Sequence, residues 1–174
     1  MSDETDNRFK YVKAPGVPDF EKLRADGLYP TDERIAQGPI AVFECLQEIP
    51  CNPCQEACRQ GHIHIGTSIT DYPIVNESCT GCGLCLPSCP GLCIFILDGS
   101  YSEKEGTVTM PYELVPLPEK GDIVQACNRL GEPVCDGRII RVRKTARQEV
   151  CYAVTVAIPK QWINDVRHIR RKTT

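Results

Sequence analysis

Residues 79–90 read CTGCGLCLPSCP, and this stretch decides how the chain is interpreted. Cys79, Cys82 and Cys85 lie three positions apart, and Cys89 follows four positions later, directly before a proline. Closely spaced thiolates can surround one compact inorganic object, and this spacing is typical of the ligands of [4Fe–4S] clusters. The stretch therefore predicts iron–sulfur ligation.

A second run of cysteines, ECLQEIPCNPCQEAC, precedes it at residues 44–58. It departs from the standard pattern twice, because its first gap has five residues and because Arg59 stands where a proline usually follows. Its Cys-x3-Cys end nevertheless matches the other run. We interpret it as a second [4Fe–4S] ligand group, with zinc or no metal as the alternatives. Its four cysteines are Cys45, Cys51, Cys54 and Cys58.

The two runs are expected to exchange their last cysteines. In two-cluster ferredoxins the fourth cysteine of a run binds the cluster of the other run. One cluster would then be held by Cys45, Cys51, Cys54 and Cys89, and the other by Cys79, Cys82, Cys85 and Cys58. Zinc is the rival metal for residues 79–90, but zinc sites usually pair two Cys-x2-Cys hooks across a longer gap.

Four further cysteines have no partner at ligand spacing: Cys93, Cys127, Cys135 and Cys151. Free cysteine is a common small apolar residue in protein cores. We assign all four to packing, with a third cluster as the alternative.

The total of twelve cysteines in 174 residues raises the question of the compartment. Disulfide scaffolds require an oxidising compartment. The N-terminal MSDETDNRFK is charged and has no apolar core, so no secretory signal is recognised. No apolar run approaches the ~20 residues of a membrane helix. The sequence therefore predicts a cytoplasmic protein without a membrane span, whose reduced thiols bind metal.

The charge is uneven along the chain. Residues 137–174 carry ten Lys/Arg and two Asp/Glu, whereas residues 1–136 carry ten Lys/Arg and twenty-one Asp/Glu. A basic end could bind nucleic acid. No aromatic stacking platform accompanies these charges, so we expect a solvated face or a docking surface for an acidic partner, and no nucleic acid.

The pattern along the chain divides it into three segments: an N-terminal arm at 1–40, a two-cluster [4Fe–4S] ferredoxin-like domain at 41–102 and a β-rich domain at 103–174. In the arm, one short helix is expected from Asp19 to Ala25, and a second is expected to be capped by Thr31 and ended by Gly38. Residues 103–160 contain β-branched or alternating runs between turn signals, which predicts a small antiparallel sheet or barrel.

A final helix is expected to begin near Pro159, with Trp162, Val166 and Ile169 as its buried stripe. The predicted fold class is therefore α+β: a ferredoxin-like core with two clusters, an N-terminal arm and a small antiparallel β domain ending in a helix.

The sequence contains no Gly-rich dinucleotide fingerprint after a strand, no phosphate loop and no Ser/His/Asp arrangement. It therefore predicts no catalytic residue and no binding of a nicotinamide or flavin by this chain itself. The expected role is electron transfer.

Four stretches resemble one protein family: PTDERIAQGPIAVFECLQEIPCNPCQEAC (30–58), CTGCGLCLPSCPGLCIFILD (79–98), PYELVPLPEKGD (111–122) and AIPKQWINDVRHIRR (157–171). The family comprises the small iron–sulfur subunits of multi-subunit, dye-linked flavoprotein dehydrogenases that oxidise proline, hydroxyproline, opines or related amines. The resemblance implies flavoprotein partner subunits, which carry the FAD or FMN and the substrate site. It implies cluster ligation by the eight cysteines named above.

These observations lead to one expected function and two alternatives. The chain is expected to relay single electrons between flavin sites of an amino-acid or amine dehydrogenase complex. A freely diffusing ferredoxin is the first alternative, although it leaves the roughly 75 extra residues unexplained. A cluster-containing regulator that binds nucleic acid is the second.

Overall fold

The computed structural model describes residues 10–14, 17–144 and 151–172. The N-terminal segment begins with an antiparallel pair of short strands, β1 (Val12–Ala14) and β2 (Val17–Pro18). Two one-turn helices follow, α1 (Phe20–Ala25) and α2 (Asp32–Gln37). The side chains of Asp19 and Thr31 cap them, each accepting a backbone hydrogen bond at 3.2 Å. Gly38 follows α2, so both predicted helices of the arm are confirmed.

The cysteine-bearing segment lies between two strands of a larger sheet. After β3 (Ile40–Phe43) come a one-turn helix, α3 (Pro53–Ala57), and the antiparallel pair β4 (Ile63–His64) and β5 (Ile74–Val75). A 3-10 turn at Leu86–Ser88 precedes β6 (Ile94–Asp98).

The remaining strands are β7 (Glu105–Tyr112), β8 (Ile123–Cys127), β9 (Pro133–Lys144), β10 (Tyr152–Pro159) and β11 (His168–Arg171). With β3 and β6 they form a seven-stranded sheet in the order β11-β8-β9-β10-β7-β6-β3, in which all neighbours are antiparallel.

Strand β3 and residues 94–97 of β6 are apolar, which allows both faces of these strands to be buried. Successive side chains of a strand point to opposite faces of the sheet. Ile40 and Val42 accordingly pack with the arm, including Leu23. Ala41 and Phe43 pack against the cysteine-bearing segment on the other face. One face of the sheet therefore packs against both cysteine runs.

The predicted α+β class with a ferredoxin-like core is wrong. The structure is 35% strand and 15% helix, and its main feature is the seven-stranded antiparallel sheet. Prolines among the cysteines restrict local helix to α3 and the 3-10 turn at Leu86–Ser88, since proline is tolerated only in a first helical turn. The apolar strands β3 and β6 pair with each other, and β6 pairs with β7. They therefore belong to the large sheet.

The helix predicted from Pro159 is also wrong. A 3-10 turn covers only Lys160–Trp162, and the chain then extends into β11, which pairs with β8. Val166 and Ile169 are buried as expected, but Ile169 lies in a strand. Apolar residues three and four positions apart fit a turn followed by a strand as well as a helix, because both bury side chains at these spacings.

The boundary expected at residue 102 lies in the connection between β6 and β7, within one sheet. That the three segments form separate domains stays a prediction. In the described part of the chain, no helix has the length and apolar character needed to cross a membrane.

Candidate metal centres

All twelve cysteines lie among the described residues, and none of them forms a disulfide. Nine of them line two cavities, five in the first and four in the second. The eight predicted ligands are therefore not tied up in disulfides, which is the first requirement of the predicted sites.

The first cavity is lined by five cysteines: Cys45, Cys51, Cys54, Cys89 and Cys93. Three of these belong to the first cysteine run and Cys89 to the second, whereas Cys93 follows the second run. The open space between them is only about 20 Å³, and Phe43, Pro53 and Ile94 also line it. The donor set suits a [4Fe–4S] cluster. The thiols would have to turn about their Cα–Cβ bonds to make room for one.

The second cavity is lined by Cys58, Cys79, Cys82 and Cys85 and measures about 180 Å³. It collects three cysteines of the second run and one of the first. Cys82 is exposed, whereas Cys85 is buried. Both the donor set and the space fit the predicted group. The structure thus brings the eight cysteines together in the two sets of four that ligand exchange requires, and their binding of clusters stays a prediction.

Two short helical elements explain this division. Cys54 lies in the first turn of α3 and Cys58 is its C-cap, so the helix separates a thiol of the first cavity from one of the second. The 3-10 turn does the same with Cys85 before it and Cys89 after it. The two elements contact each other. The two cavities therefore share one structural wall.

The loop from Cys79 to Cys85 is held tightly against the rest of the protein. Gly81 has φ = +58°, and a Cβ atom there would lie 2.5 Å from the Cβ of Pro39, so only glycine fits. The buried Arg34 side chain of α2 donates hydrogen bonds to the carbonyl oxygens of Cys79 at 2.6 Å and Glu77 at 2.7 Å. The arm thereby fixes the start of the predicted ligand loop.

Backbone N–H groups point at several of the sulfur atoms. The N–H of His62 donates to Sγ of Cys58 at 3.2 Å, and that of Gly81 donates to Sγ of Cys79 at 3.5 Å. Such donors stabilise negative charge on sulfur, and hydrogen bonds to sulfur help to set cluster potentials. Two of the predicted ligands, Cys58 and Cys79, therefore already accept a backbone hydrogen bond at sulfur.

Burial and hydrogen bonding act in opposite directions on the pKa values of these thiols. Burial raises the pKa of Cys54 to about 11, and it also raises the pKa of Cys85. At Cys89, a hydrogen bond from Cys93 lowers the pKa to about 6 against the effect of burial. Metal binding would have to displace the protons of the buried thiols, because thiolates are the ligands.

Cys93 was assigned to packing from the sequence, but it lines the first cavity. Its Sγ lies 3.4 Å from Sγ of Cys89, and it also hydrogen-bonds to Cys45. A tight turn, with Leu92 at φ = +52°, folds it back toward Cys89. The spacing Cys89-x3-Cys93 was the signal in the sequence that could have placed Cys93 near the site. Proximity alone does not make Cys93 a ligand. That Cys93 binds no cluster stays a prediction.

The three other cysteines line neither cavity. Cys127 in β8 and Cys151 before β10 are buried, and Cys135 lies in β9 next to the end of β8. They belong to the sheet, far along the chain from the ligand runs. Their assignment to packing stays a prediction.

A buried charge network anchors the start of the first run. Glu44 accepts hydrogen bonds from Arg129 at 2.6 and 2.9 Å and from Arg167 at 2.5 Å. Burial raises the pKa of Glu44, but the charges of Arg167 and Arg129 outweigh it, so the pKa lies below its usual value. The Glu44 N–H donates to the carbonyl oxygen of Cys93 at 2.8 Å. The network thus joins the cysteine segment to the C-terminal strands.

Within the described residues, no three His, Cys, Asp or Glu side chains come close enough together to hold a single metal ion. The two cavities are compatible with this finding. A cubane cluster carries its thiolates on four different iron atoms, so these ligands lie farther apart than those of one ion.

No family model matches the chain, and neither the curated proteins nor the solved structures contain a match to it.

Proposed function

We propose that this chain is the electron-transfer subunit of a multi-subunit flavoprotein dehydrogenase that oxidises amino acids or amines in the cytoplasm. It would hold one [4Fe–4S] cluster on Cys45, Cys51, Cys54 and Cys89 and a second on Cys58, Cys79, Cys82 and Cys85. The FAD or FMN and the substrate would bind to partner subunits, and nucleic acid would not be a partner. The observation that carries the proposal is the pair of thiol-lined cavities on a shared wall, between which the eight ligand-spaced cysteines divide four and four, with Cys93 as a fifth thiol in the first.

When bound, each [4Fe–4S] cluster supplies a carrier of one electron at a time. The chain's own groups would hold the clusters and stabilise their charge. The thiolates would bind iron, and the N–H groups of His62 and Gly81 would offset negative charge on sulfur. Because α3 and the 3-10 turn contact each other, both sites stay adjacent in one rigid unit. Two adjacent one-electron sites suit a partner flavin, which releases two electrons.

Exposed apolar side chains support a partner-bound state. Leu130 is 64% exposed and Ile49 48%, and both line an open cleft of about 790 Å³ that also reaches Cys45 and Cys93. Val115, in one of the stretches that resemble the dehydrogenase subunits, is 89% exposed. Exposed apolar patches of this kind are typical of interaction surfaces.

The isolated chain is expected to accept electrons from dithionite but to reduce no dye with proline, hydroxyproline or NADH. The reason is that it offers no motif for a flavin, a nicotinamide or a substrate. The measurement uses the chain with its clusters, alone and after addition of the flavoproteins that co-purify with it from its native host.

Dye reduction should appear only in the reconstituted mixture. Substrate turnover by the isolated chain would contradict the proposal, and so would elution of the native protein as a monomer without partners.

A further inference from the structure

We propose that the second cavity opens onto a cationic docking surface, formed by Arg59, Arg141 and Arg143 around Cys82, which receives the acidic face of a redox partner protein. The inference rests on the proposed function, because it assigns a partner chemistry to one of the two predicted cluster sites.

The sheet register places two of these arginines beside the ligand loop. Thr109 of β7 pairs with Ile96 of β6 and with Thr155 of β10, and Thr155 pairs with Arg141 of β9. Paired residues lie side by side on one face of a sheet. Arg143 lies two residues further along β9 and therefore on the same face.

The ligand loop lies over this row of side chains. Gly81, Cys82 and Gly83 line a small cleft of about 60 Å³ together with Arg141 and Arg143. An Nη atom of Arg143 lies only 3.2 Å from the place where a Cβ of Gly83 would be. Arg59 lines the second cavity itself. Three arginines thus line the cavities that Cys82 also lines, and Cys82 is the one exposed thiol among the eight proposed ligands.

Within the part of the chain that the structure describes, no carboxylate lines the cavities beside these arginines. The residues lining the second cavity and the small cleft include three arginines and no Asp or Glu. Among the described residues, neither Arg141 nor Arg143 takes part in an ion pair, whereas Arg138 of the same strand pairs with Glu105 at 3.2 Å. The positive charge is therefore available to a partner.

The surroundings of the first cavity are of mixed charge. Asp71 lines it, and Lys10, Glu48 and Asp71 line the adjoining cleft. Of the two predicted cluster sites, the second is therefore the one lined by arginines without a lining carboxylate among the described residues. Complementary charge steers association and fixes the orientation of the partners, so a negatively charged redox partner would be directed to the second site.

The test measures how charged oxidants take electrons from the reduced chain. The chain with its clusters is reduced with dithionite, desalted and mixed in a stopped-flow instrument with hexacyanoferrate(III) or tris(phenanthroline)cobalt(III). Each oxidant accepts one electron, giving hexacyanoferrate(II) or the cobalt(II) complex, while one cluster is oxidised. The double variant Arg141→Gln/Arg143→Gln is compared with the parent chain and with Arg138→Gln.

At low ionic strength, the ratio of the anionic to the cationic rate constant should fall about tenfold in the double variant, within the range that steering charges produce. It should stay within about twofold of the parent in Arg138→Gln, whose charge is paired. The difference should vanish near 1 M salt, where the screening length is only about 3 Å.

The proposal is overturned if the ratio is unchanged in the double variant, or if Arg138→Gln changes it equally. It is also overturned if both oxidants slow by the same factor, which would indicate altered clusters. Binding of an oligonucleotide that requires Arg141 and Arg143 at physiological salt would assign this surface to nucleic acid instead. The iron content of each variant is measured in parallel. If it equals that of the parent, the outcome bears on the docking surface and not on the cluster proposal.

Discussion

Replacing Cys58 with alanine should remove the cluster held by the other cysteine run and spare the cluster of its own run. Cys58 belongs to the first run in sequence, but its thiol lines the cavity of Cys79, Cys82 and Cys85. The iron content should fall from about eight per chain toward about four, since each [4Fe–4S] cluster contains four iron atoms.

Electron paramagnetic resonance of the reduced variants identifies which cluster is lost. The spectrum of Cys58→Ala should coincide with that of Cys82→Ala and differ from that of Cys51→Ala. The reciprocal variant, Cys89→Ala, should resemble Cys51→Ala, because Cys89 lines the first cavity. If Cys58→Ala instead resembles Cys51→Ala, each run serves its own cluster and the exchange is refuted.

Two cysteines provide matched controls for this experiment. Cys127 is buried and lines neither cavity, so Cys127→Ala should keep about eight iron. Cys93 is the more demanding control, because its Sγ lies 3.4 Å from Sγ of Cys89. Cys93→Ala should also keep its iron, and a loss would make Cys93 a ligand of the first site.

Replacing Glu44 with glutamine should destabilise the protein by about 3–5 kcal/mol, the usual effect of removing one partner of a buried ion pair. The side chains of Arg129 and Arg167 are only 8% and 3% exposed, and both would lose their carboxylate. Thermal unfolding followed by circular dichroism should show a midpoint lower by on the order of 10 °C.

The matched control is Glu105→Gln. Glu105 pairs with Arg138 at 3.2 Å, and both side chains are more than a third exposed. Exposed pairs contribute about 0–1 kcal/mol, so the midpoint should move by a few degrees at most. Equal shifts in the two variants would show that the Glu44 network does not hold the cysteine segment against the sheet.

The depressed pKa of Glu44 also predicts how stability depends on pH. A carboxyl group whose pKa is lower in the folded than in the unfolded chain stabilises the fold. The stabilisation is fully present when the pH is above the pKa of the group in the unfolded chain, which is about 4.3 for glutamate. That stabilisation is lost as the pH falls through the lower folded value. The difference between the parent and Glu44→Gln should therefore shrink as the pH falls below about 4.

Local signals in the sequence were sufficient for the helices of the arm. Asp19 and Thr31 cap helices because their side-chain oxygens accept backbone hydrogen bonds within one turn. Turn residues were a weaker guide to the strands: Gly121 and Gly131 precede β8 and β9, but Gly106 and Gly137 lie inside β7 and β9. These features depend only on residues a few positions apart.

Features that depend on distant pairing were missed. The sequence of β3 and β6 shows that both are apolar, but not that they extend the C-terminal sheet. The stripe from Trp162 to Ile169 was compatible with a helix, and its pairing with β8 decided otherwise. Glu44 lies 85 residues from Arg129 and 123 from Arg167, so no local pattern indicated the network.

The most direct test of the central claim is the metal content of the chain purified without oxygen. The account predicts about eight iron and eight acid-labile sulfide per chain, with little zinc, because the eight cysteines in two cavities would each bind one iron atom of two [4Fe–4S] clusters. A value near four iron would remove the first cavity from the account. Stoichiometric zinc without sulfide would contradict it.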